Sequence, residues 1–288
     1  MSVDPVGVVL GLPGLFTACV DCFNYVQFGR SFGTDYSNCL LALDVEKLRF
    51  SRWGAAVGIS EERVLSLLDL DEKEKHIVEN LLESILEIFT KAENASARFE
   101  KADRLKRGGE AGDTALAVCS PDADLGLRYQ TLHSTWKSLV QKRHKKSNVL
   151  QKAKWALYQK WQFEAMVAEL RSFVNALEDL FPPGPKQELL AKREEELCEE
   201  EVAELKETTD LILLKEVVGE NDLVVQRTAD KALEVRGMGH LVENFKLTDS
   251  TTTTIGDKNV AGRESKSHFV RGFTSSGNSV LSIGNLNY

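Results

Sequence analysis

The residues able to do chemistry are few and scattered. Cys19-Val20-Asp21-Cys22 sets two thiols three residues apart, the spacing of a redox pair or of half a zinc site. A zinc site needs a second pair of ligands, and none lies at a suitable distance along the chain. A thioredoxin-type pair needs a strand before it in a βαβ unit, whereas this pair sits in an apolar, helix-like run. It reads as two buried thiols sharing one helix face. The histidines at 76, 133, 144, 240 and 268 include no pair at helical metal-binding spacing. No nucleophile elbow, Walker loop or dinucleotide glycine motif occurs. Glu199-Glu200-Glu201 belongs to a run of charges and is expected to face solvent. No catalytic residue, metal site or cofactor is expected, and the chain does not read as an enzyme.

The only strong basic run is Lys142-Arg143-His144-Lys145-Lys146. It can be a solvated helix end, or it can meet anionic lipid heads, where each basic residue contributes about 1 kcal/mol. The net charge is −8 and the pI about 5.3, so the chain lacks the basic footprint that nucleic acid requires. With 42% hydrophobic and 28% charged residues, it can build a sizeable core. Five cysteines, at 19, 22, 39, 119 and 198, form no dense disulfide framework. Met1-Ser2-Val3-Asp4 lacks the basic residues that open a secretory signal, so a cytosolic, reducing location is expected. Trp53, Trp136, Trp155 and Trp161 are expected in the core or half-buried.

The elements that must position these residues are helical. Pro5 to Gly29 holds a single charge, Asp21, among apolar residues that include Val8, Val9, Leu10, Leu12, Leu15, Phe16, Val20 and Phe23. About 20 apolar residues cross a bilayer, but Pro13 and Asp21 interrupt this run. Leu41, Val45, Leu48, Phe50, Trp53 and Val57 recur at helical steps and predict an amphipathic helix ending near Gly58. Asp71 with Glu74 has the capping-box pattern, followed by Ile77, Leu81, Ile85 and Ile88 on one face to about Phe99. Gly108, Gly109 and Gly112 mark a loop. Helix signals dominate from Leu125 to Phe181, most clearly Phe163, Val167, Leu170, Val174, Leu177 and Phe181, until Pro182-Pro183-Gly184-Pro185 breaks the run. Lys186 to Glu207 reads as a highly charged surface helix, and Leu211–Val218 and Leu223–Val242 as weaker helical patterns. The expected divisions are 1–222, a helical domain; 223–245, a helical linker; and 246–288, a tail.

The tail differs in kind. Of its 43 residues, 22 are Ser, Thr, Gly or Asn, too little apolar surface to offset the entropy of folding alone. It contains an echo: Ile255-Gly256-Asp257-Lys258-Asn259-Val260 against Ile283-Gly284-Asn285-Leu286-Asn287-Tyr288, 28 positions apart. Between them lies Phe269-Val270-Arg271-Gly272-Phe273. β-formers separated by glycine turns suit stacked strands.

Several segments resemble a known family. Gly14-Leu15-Phe16, Cys19-Val20-Asp21-Cys22-Phe23, Tyr25-Val26-Gln27, Gly29-Arg30, Phe32-Gly33, Asp35-Tyr36 and Ser51-Arg52-Trp53-Gly54 are similar to the start of the HeLo domain of fungal heterokaryon-incompatibility proteins. Ala153-Lys154-Trp155-Ala156-Leu157-Tyr158, then Phe173-Val174, Leu177-Glu178 and Phe181-Pro182, look like its later helices. The likeness spans about residues 5 to 220. It implies an all-α HeLo-type bundle with a disordered C-terminal tail able to form a β-solenoid amyloid. It also implies a mechanism. The amyloid form of a homologous or NLR-type partner templates the tail, the bundle is destabilised, and an N-terminal segment is expelled into membrane. The chain then self-associates and the cell dies. The expected locations are cytoplasm at rest and plasma membrane when activated.

By the same resemblance, the expelled segment corresponds to about Val6–Gly33. Ser31 falls where a Pro-or-His difference separates prion-propagating from lethal forms, and this chain has neither. Asp21 aligns with a second residue tied to that difference, and Glu83 lies near an acid linked to activity. In the tail, Ser279-Val280-Leu281-Ser282-Ile283-Gly284-Asn285 matches one family strand pair, whereas Thr252-Thr253-Thr254-Ile255-Gly256 can belong to another fungal amyloid motif. Ile255, Gly256, Asn259, Phe269, Val270, Val280, Leu281, Ile283, Gly284 and Asn285 are the expected amyloid residues. A lethal executor, a non-lethal prion form and a helical adaptor with a disordered tail all remain open from sequence.

Overall fold

A computed structural model describes residues 11–59, 70–106, 117–144 and 154–236, together with the backbone of short strands between 238 and 283. Helix α1 (Leu12–Tyr25) runs into strand β1 (Val26–Phe28) and a 3-10 turn (Arg30–Asp35). Then come α2 (Tyr36–Val57), α3 (Glu72–Lys106), a short α4 (Pro121–Asp124) and α5 (Leu127–Arg143). Strand β2 (Trp155–Leu157) precedes α6 (Lys160–Glu178), α7 (Pro185–Ala203), α8 (Thr208–Val218) and α9 (Leu223–Val235). The fold is an all-α bundle, as expected.

Helix α2 is the axis of the bundle. α1, α5, α6, α7 and α8 all pack on it, and 17 of its 22 residues are buried, including Glu46, Lys47, Arg49, Ser51 and Arg52. A helix covered all round needs partners for every polar group it carries. It ends where Gly58 adopts φ 73°, and the Gly58 amide donates to the carbonyls of Ala55 and Gly54. Only a residue without Cβ takes this left-handed cap at low cost. The capping box at the start of α3 is present in both directions: the Glu74 amide donates to Asp71 Oδ1 (2.7 Å) and the Asp71 amide to Glu74 Oε2 (2.8 Å).

Several expectations need correction. The buried stripe of α3 is Val78, Leu82, Ile85, Ile88 and Phe89, so the face is turned relative to the predicted one; Ile77 is exposed and Leu81 only half-buried. Trp155–Leu157, read from its neighbours as helical, is a strand pairing in parallel with Val26–Phe28. The charged α7 does expose Lys192, Glu195, Glu196, Glu199 and Glu200, as expected of a surface helix, but its inner face is more deeply buried than predicted. It packs between α2 and α9 and buries Leu190, Glu194, Cys198, Glu201 and Val202. Glu201, expected in solvent, is 2% exposed. Trp161 is 64% exposed rather than packed. The boundary at 222 divides elements that pack together, because α9 lies on α7 and α8 and is part of the bundle. The expected helical linker is helical only to Val235, and Met238–Glu243 is a strand. The loop at Gly108–Gly112 lies outside the described residues.

In the tail, three parallel strand pairs form. Strand β3 (Met238–Glu243) pairs with β6 (Ser267–Arg271), β4 (Lys246–Leu247) with β7 (Thr274–Ser275), and β5 (Thr252–Ile255) with β8 (Val280–Ile283). From Leu241 onwards every aligned pair, from Leu241↔Phe269 to Ile255↔Ile283, is separated by 28 positions.

Candidate functional site

The weakly charged N-terminal segment is seated by α2 and α3. Leu15, Phe16, Cys19, Val20, Cys22 and Phe23 form the buried face of α1, a three-and-four spacing that puts them on one side of the helix. Phe16 is fully buried, with ring centroids 4.7 Å from Phe50, 6.1 Å from Trp53 and 5.1 Å from His144. Phe23 meets Phe89 edge-on at 4.9 Å. The Cys19 thiol donates to the Leu82 carbonyl (3.3 Å), and burial, then the neighbouring Cys22, pushes its pKa well up. Both thiols are buried and unoxidised, as the sequence suggested. Leu12 is half-buried; Val8, Val9 and Leu10 lie outside the described residues.

Backbone bonds anchor the far end of the segment. The Gly29 amide donates to Leu157 O (2.7 Å), the Arg30 amide to Ala117 O (2.9 Å) and the Cys119 amide to Phe28 O (2.7 Å). Exposed Ser31 donates from Oγ to the Tyr158 carbonyl (2.7 Å) and so closes the same edge. Asp21 is half-buried on α1 and within electrostatic reach of Lys47; Lys47 Nζ donates to Asn24 Oδ1 (2.7 Å). Glu83 is exposed on α3. Asp21, Ser31 and Glu83 thus stand on three different elements: α1, the 3-10 turn and α3.

Elsewhere on α2 lies a floor of buried charge that sequence reasoning missed. Arg49 donates to Glu178 (2.5 Å), Glu46 (3.1 Å) and Asn175 (2.7 Å), and Arg171 reaches Glu46 (2.7 Å). One turn on, Arg52 donates to Glu201 (2.7 Å) and to Asp222, and Arg143 donates to the other oxygen of Glu201 (2.7 Å). Burial pushes the Asp222 carboxyl up, but the Arg52 guanidinium beside it wins and holds it below the usual carboxylate range. Two residues of the basic run are thus turned inward: Arg143 pairs with Glu201, and His144 approaches Ser51 Oγ (3.0 Å), whereas Lys142 pairs with Glu204 at the surface (2.7 Å). Burial, then Arg143 and Lys47, lower the His144 pKa to about 4. Glu194 lies against the same cluster; burial, then Glu178, raise its pKa to about 8. A signal existed for the floor: four charged residues, Glu46, Lys47, Arg49 and Arg52, lie within seven positions of a helix otherwise rich in apolar residues.

The tail register exposes a longer echo than the one read from sequence. Ile255 and Ile283 are register partners, as the motif implied, but pairing begins at 238 rather than 246. At the same 28-residue spacing His240 matches His268, Val242 matches Val270 and Phe245 matches Phe273, beyond the Gly256/Gly284 and Asn259/Asn287 matches of the echo. Comparing the tail with itself at that spacing would have found them. Phe269, Val270, Val280 and Leu281 are strand residues; Gly256, Asn259, Gly284 and Asn285 lie outside the described residues.

The family model described as HeLo, prion-inhibition and propagation, matches residues 6–214. Heterokaryon incompatibility protein S of Podospora anserina is 34% identical over 226 residues, 78% of this chain and 72% of its own length. Heterokaryon incompatibility protein s of the same species is 33% identical over 234 residues, 80% of this chain and 75% of its own. The solved structure of the HET-s N-terminal domain is 33% identical, with a TM-score of 0.66 over 79% of this chain and 99% of that one. A doubly substituted form of that domain gives 0.65 over 78% and 99%. The bundle is the HeLo fold, and the chain belongs to the HeLo prion-inhibition and propagation family.

Proposed function

We propose that the protein executes cell death in heterokaryon incompatibility by a change of conformation, not by catalysis. The amyloid form of a homologous or NLR-type protein templates the tail into a two-coil β-solenoid. Further copies of the chain stack on it, the bundle loses α9, and the N-terminal segment passes from its seat into membrane. The observation that carries this reading is the tail register. From Leu241 onwards all three strand pairs share one 28-residue spacing, and the first strand begins at Met238, three residues after α9 ends at Val235. A coil that lengthens towards its N-terminus therefore competes with α9 for the same chain. The relatives' names, heterokaryon incompatibility proteins S and s, support the setting.

Membrane entry demands rebuilding. Among the described residues no helix is long and apolar enough to cross a membrane. The 14 residues of α1 span roughly 21 Å against a hydrocarbon core of about 30 Å. One helix over Val6–Gly33 would reach roughly 42 Å, but it requires β1 to leave β2. On this reading the protein is cytoplasmic at rest and at the plasma membrane when activated. The test is vesicle leakage by the full chain with and without preformed fibrils of the same chain as seed. Leakage on seeding is expected. Fibrils without leakage would sink the lethal step and leave a prion-propagating form.

A further inference from the structure

Asp222 occupies the junction between the tail root and the seat of α1. Its Oδ1 accepts from the Val225 amide (3.1 Å) and caps α9; its Oδ2 accepts from Arg52 of α2. The carboxylate is 5% exposed and Arg52 1%. Two routes lead from there to Phe16. Arg52 directly precedes Trp53 and Gly54, which bear on the Phe16 ring. Arg52 also shares Glu201 with Arg143, and the next residue, His144, lies 5.1 Å from the same ring. The four charges Asp222, Arg52, Glu201 and Arg143 cancel.

We propose that Asp222 is a latch that couples the seating of α9 to the seating of α1. The proposal rests on the reading that tail conversion withdraws α9. When α9 leaves, Asp222 leaves with it, water enters beside Arg52, and the cluster keeps two cations, Arg52 and Arg143, for the one carboxylate of Glu201. Where α9 stays seated, as after Asp222→Asn, the surviving Arg52 remains desolvated without compensation, which costs far more than removing both partners. The strain falls on the residues that hold α1, so the tail reaches the N-terminal segment without touching it. One neighbour can blunt the effect. Glu194, buried with Oε1 lacking a hydrogen-bond partner among the described residues, lies within reach of Arg52 and can ionise in place of Asp222.

The chain carries its own reporters. Cys198 on α7 bonds Thr228 of α9 and reads the α7–α9 contact. Cys19 and Cys22 read the seat of α1, and buried Cys39 on α2 reads global unfolding. Alkylation of the unseeded full chain, resolved by peptide mass, is compared for the natural protein, Asp222→Asn, Arg52→Met and the double variant. Each is measured with Glu194 intact and with Glu194→Gln. Asparagine keeps the cap oxygen, so α9 retains its N-terminus. The expected result for Asp222→Asn with Glu194→Gln is faster labelling of Cys198, Cys19 and Cys22 together, on the order of a hundredfold, with Cys39 still protected. Adding Arg52→Met should return Cys19 and Cys22 towards their original rates. Three results would overturn the latch: faster labelling of Cys198 alone, equal acceleration of Cys39, or no rescue by Arg52→Met. The two readings also fail separately. Coupled labelling without seeded leakage removes the lethal step and keeps the latch; seeded leakage with Cys19 and Cys22 protected in Asp222→Asn, Glu194→Gln removes the latch alone.

Discussion

The ring of Phe16 occupies the space that a Cβ on Gly54 would fill: a methyl there would stand 2.0 Å from Phe16 Cζ and 2.5 Å from Cε2. Gly54 sits in the interior of α2, where glycine otherwise costs about 1 kcal/mol relative to alanine. The helix gives up that amount so that α1 can lie close against it. Gly54→Ala should therefore destabilise the bundle despite its better helix propensity. Overpacking of this kind costs roughly 1–3 kcal/mol. A lower urea midpoint and faster alkylation of Cys19 and Cys22 are expected, and an unchanged or raised midpoint would refute the packing argument.

Glu194 should make the bundle weaken as pH rises. Its folded pKa of about 8 lies above the ordinary carboxylate value of 4.5. The native state therefore holds a proton that the unfolded chain has released. Its stabilising effect is complete below about pH 4.5 and is lost as pH climbs to about 8. The loss over that window is up to roughly 5 kcal/mol. Glu194→Gln cannot ionise, so it should be more stable than the natural chain at pH 8 and should lose this slope. Denaturant titrations of both proteins from pH 5 to 9 give the difference directly; parallel curves would contradict the assignment.

His144 acts with the opposite sign. Its folded pKa of about 4 lies below the ordinary 6.5, so the unfolded chain takes up a proton that the native state refuses. Stability from this site is complete above about pH 6.5 and falls as pH drops to about 4, by about 3 kcal/mol. His144→Gln removes that acid slope. Because His144 faces Phe16, acid should also speed alkylation of Cys19 and Cys22 in the natural chain relative to the variant, once rates are corrected for thiolate fraction. Equal acid sensitivity in the two proteins would rule out His144.

The tail register sets Glu243 opposite Arg271. Opposite charges facing each other across strands contribute about 0.2–1 kcal/mol, and like charges oppose pairing by a similar amount. Arg271→Glu should lengthen the lag of seeded fibril growth by the full chain. The exchanged pair, Glu243→Arg with Arg271→Glu, should restore it. Slow growth in the exchanged pair would mean that the 28-residue register is wrong or that charge does not matter there. Thioflavin fluorescence at low and high salt separates these two, since only a charge effect is screened.

Local order was legible in the sequence because it depends on near neighbours. The spacing of Leu41, Val45, Leu48 and Trp53, the stop at Gly58, the reciprocal Asp71–Glu74 cap and the stripe from Phe163 to Leu177 are all present, while Phe181 is buried just beyond the end of α6 at Glu178. The echo of Ile255 and Ile283 likewise stated the tail register before any strand was seen. What the sequence could not state is which charges lie inside. Glu201 and Arg143 sit in charge runs indistinguishable from solvated ones. Only the convergence of α2, α5, α7 and α9 removes water from them and pairs them. Burial is a property of the assembled helices, not of any window of residues. The charge-poor N-terminal stretch was plain from composition, but its seat is tertiary: a glycine on α2, a ring on α1 and a buried arginine one turn away, joined to an aspartate 170 residues downstream.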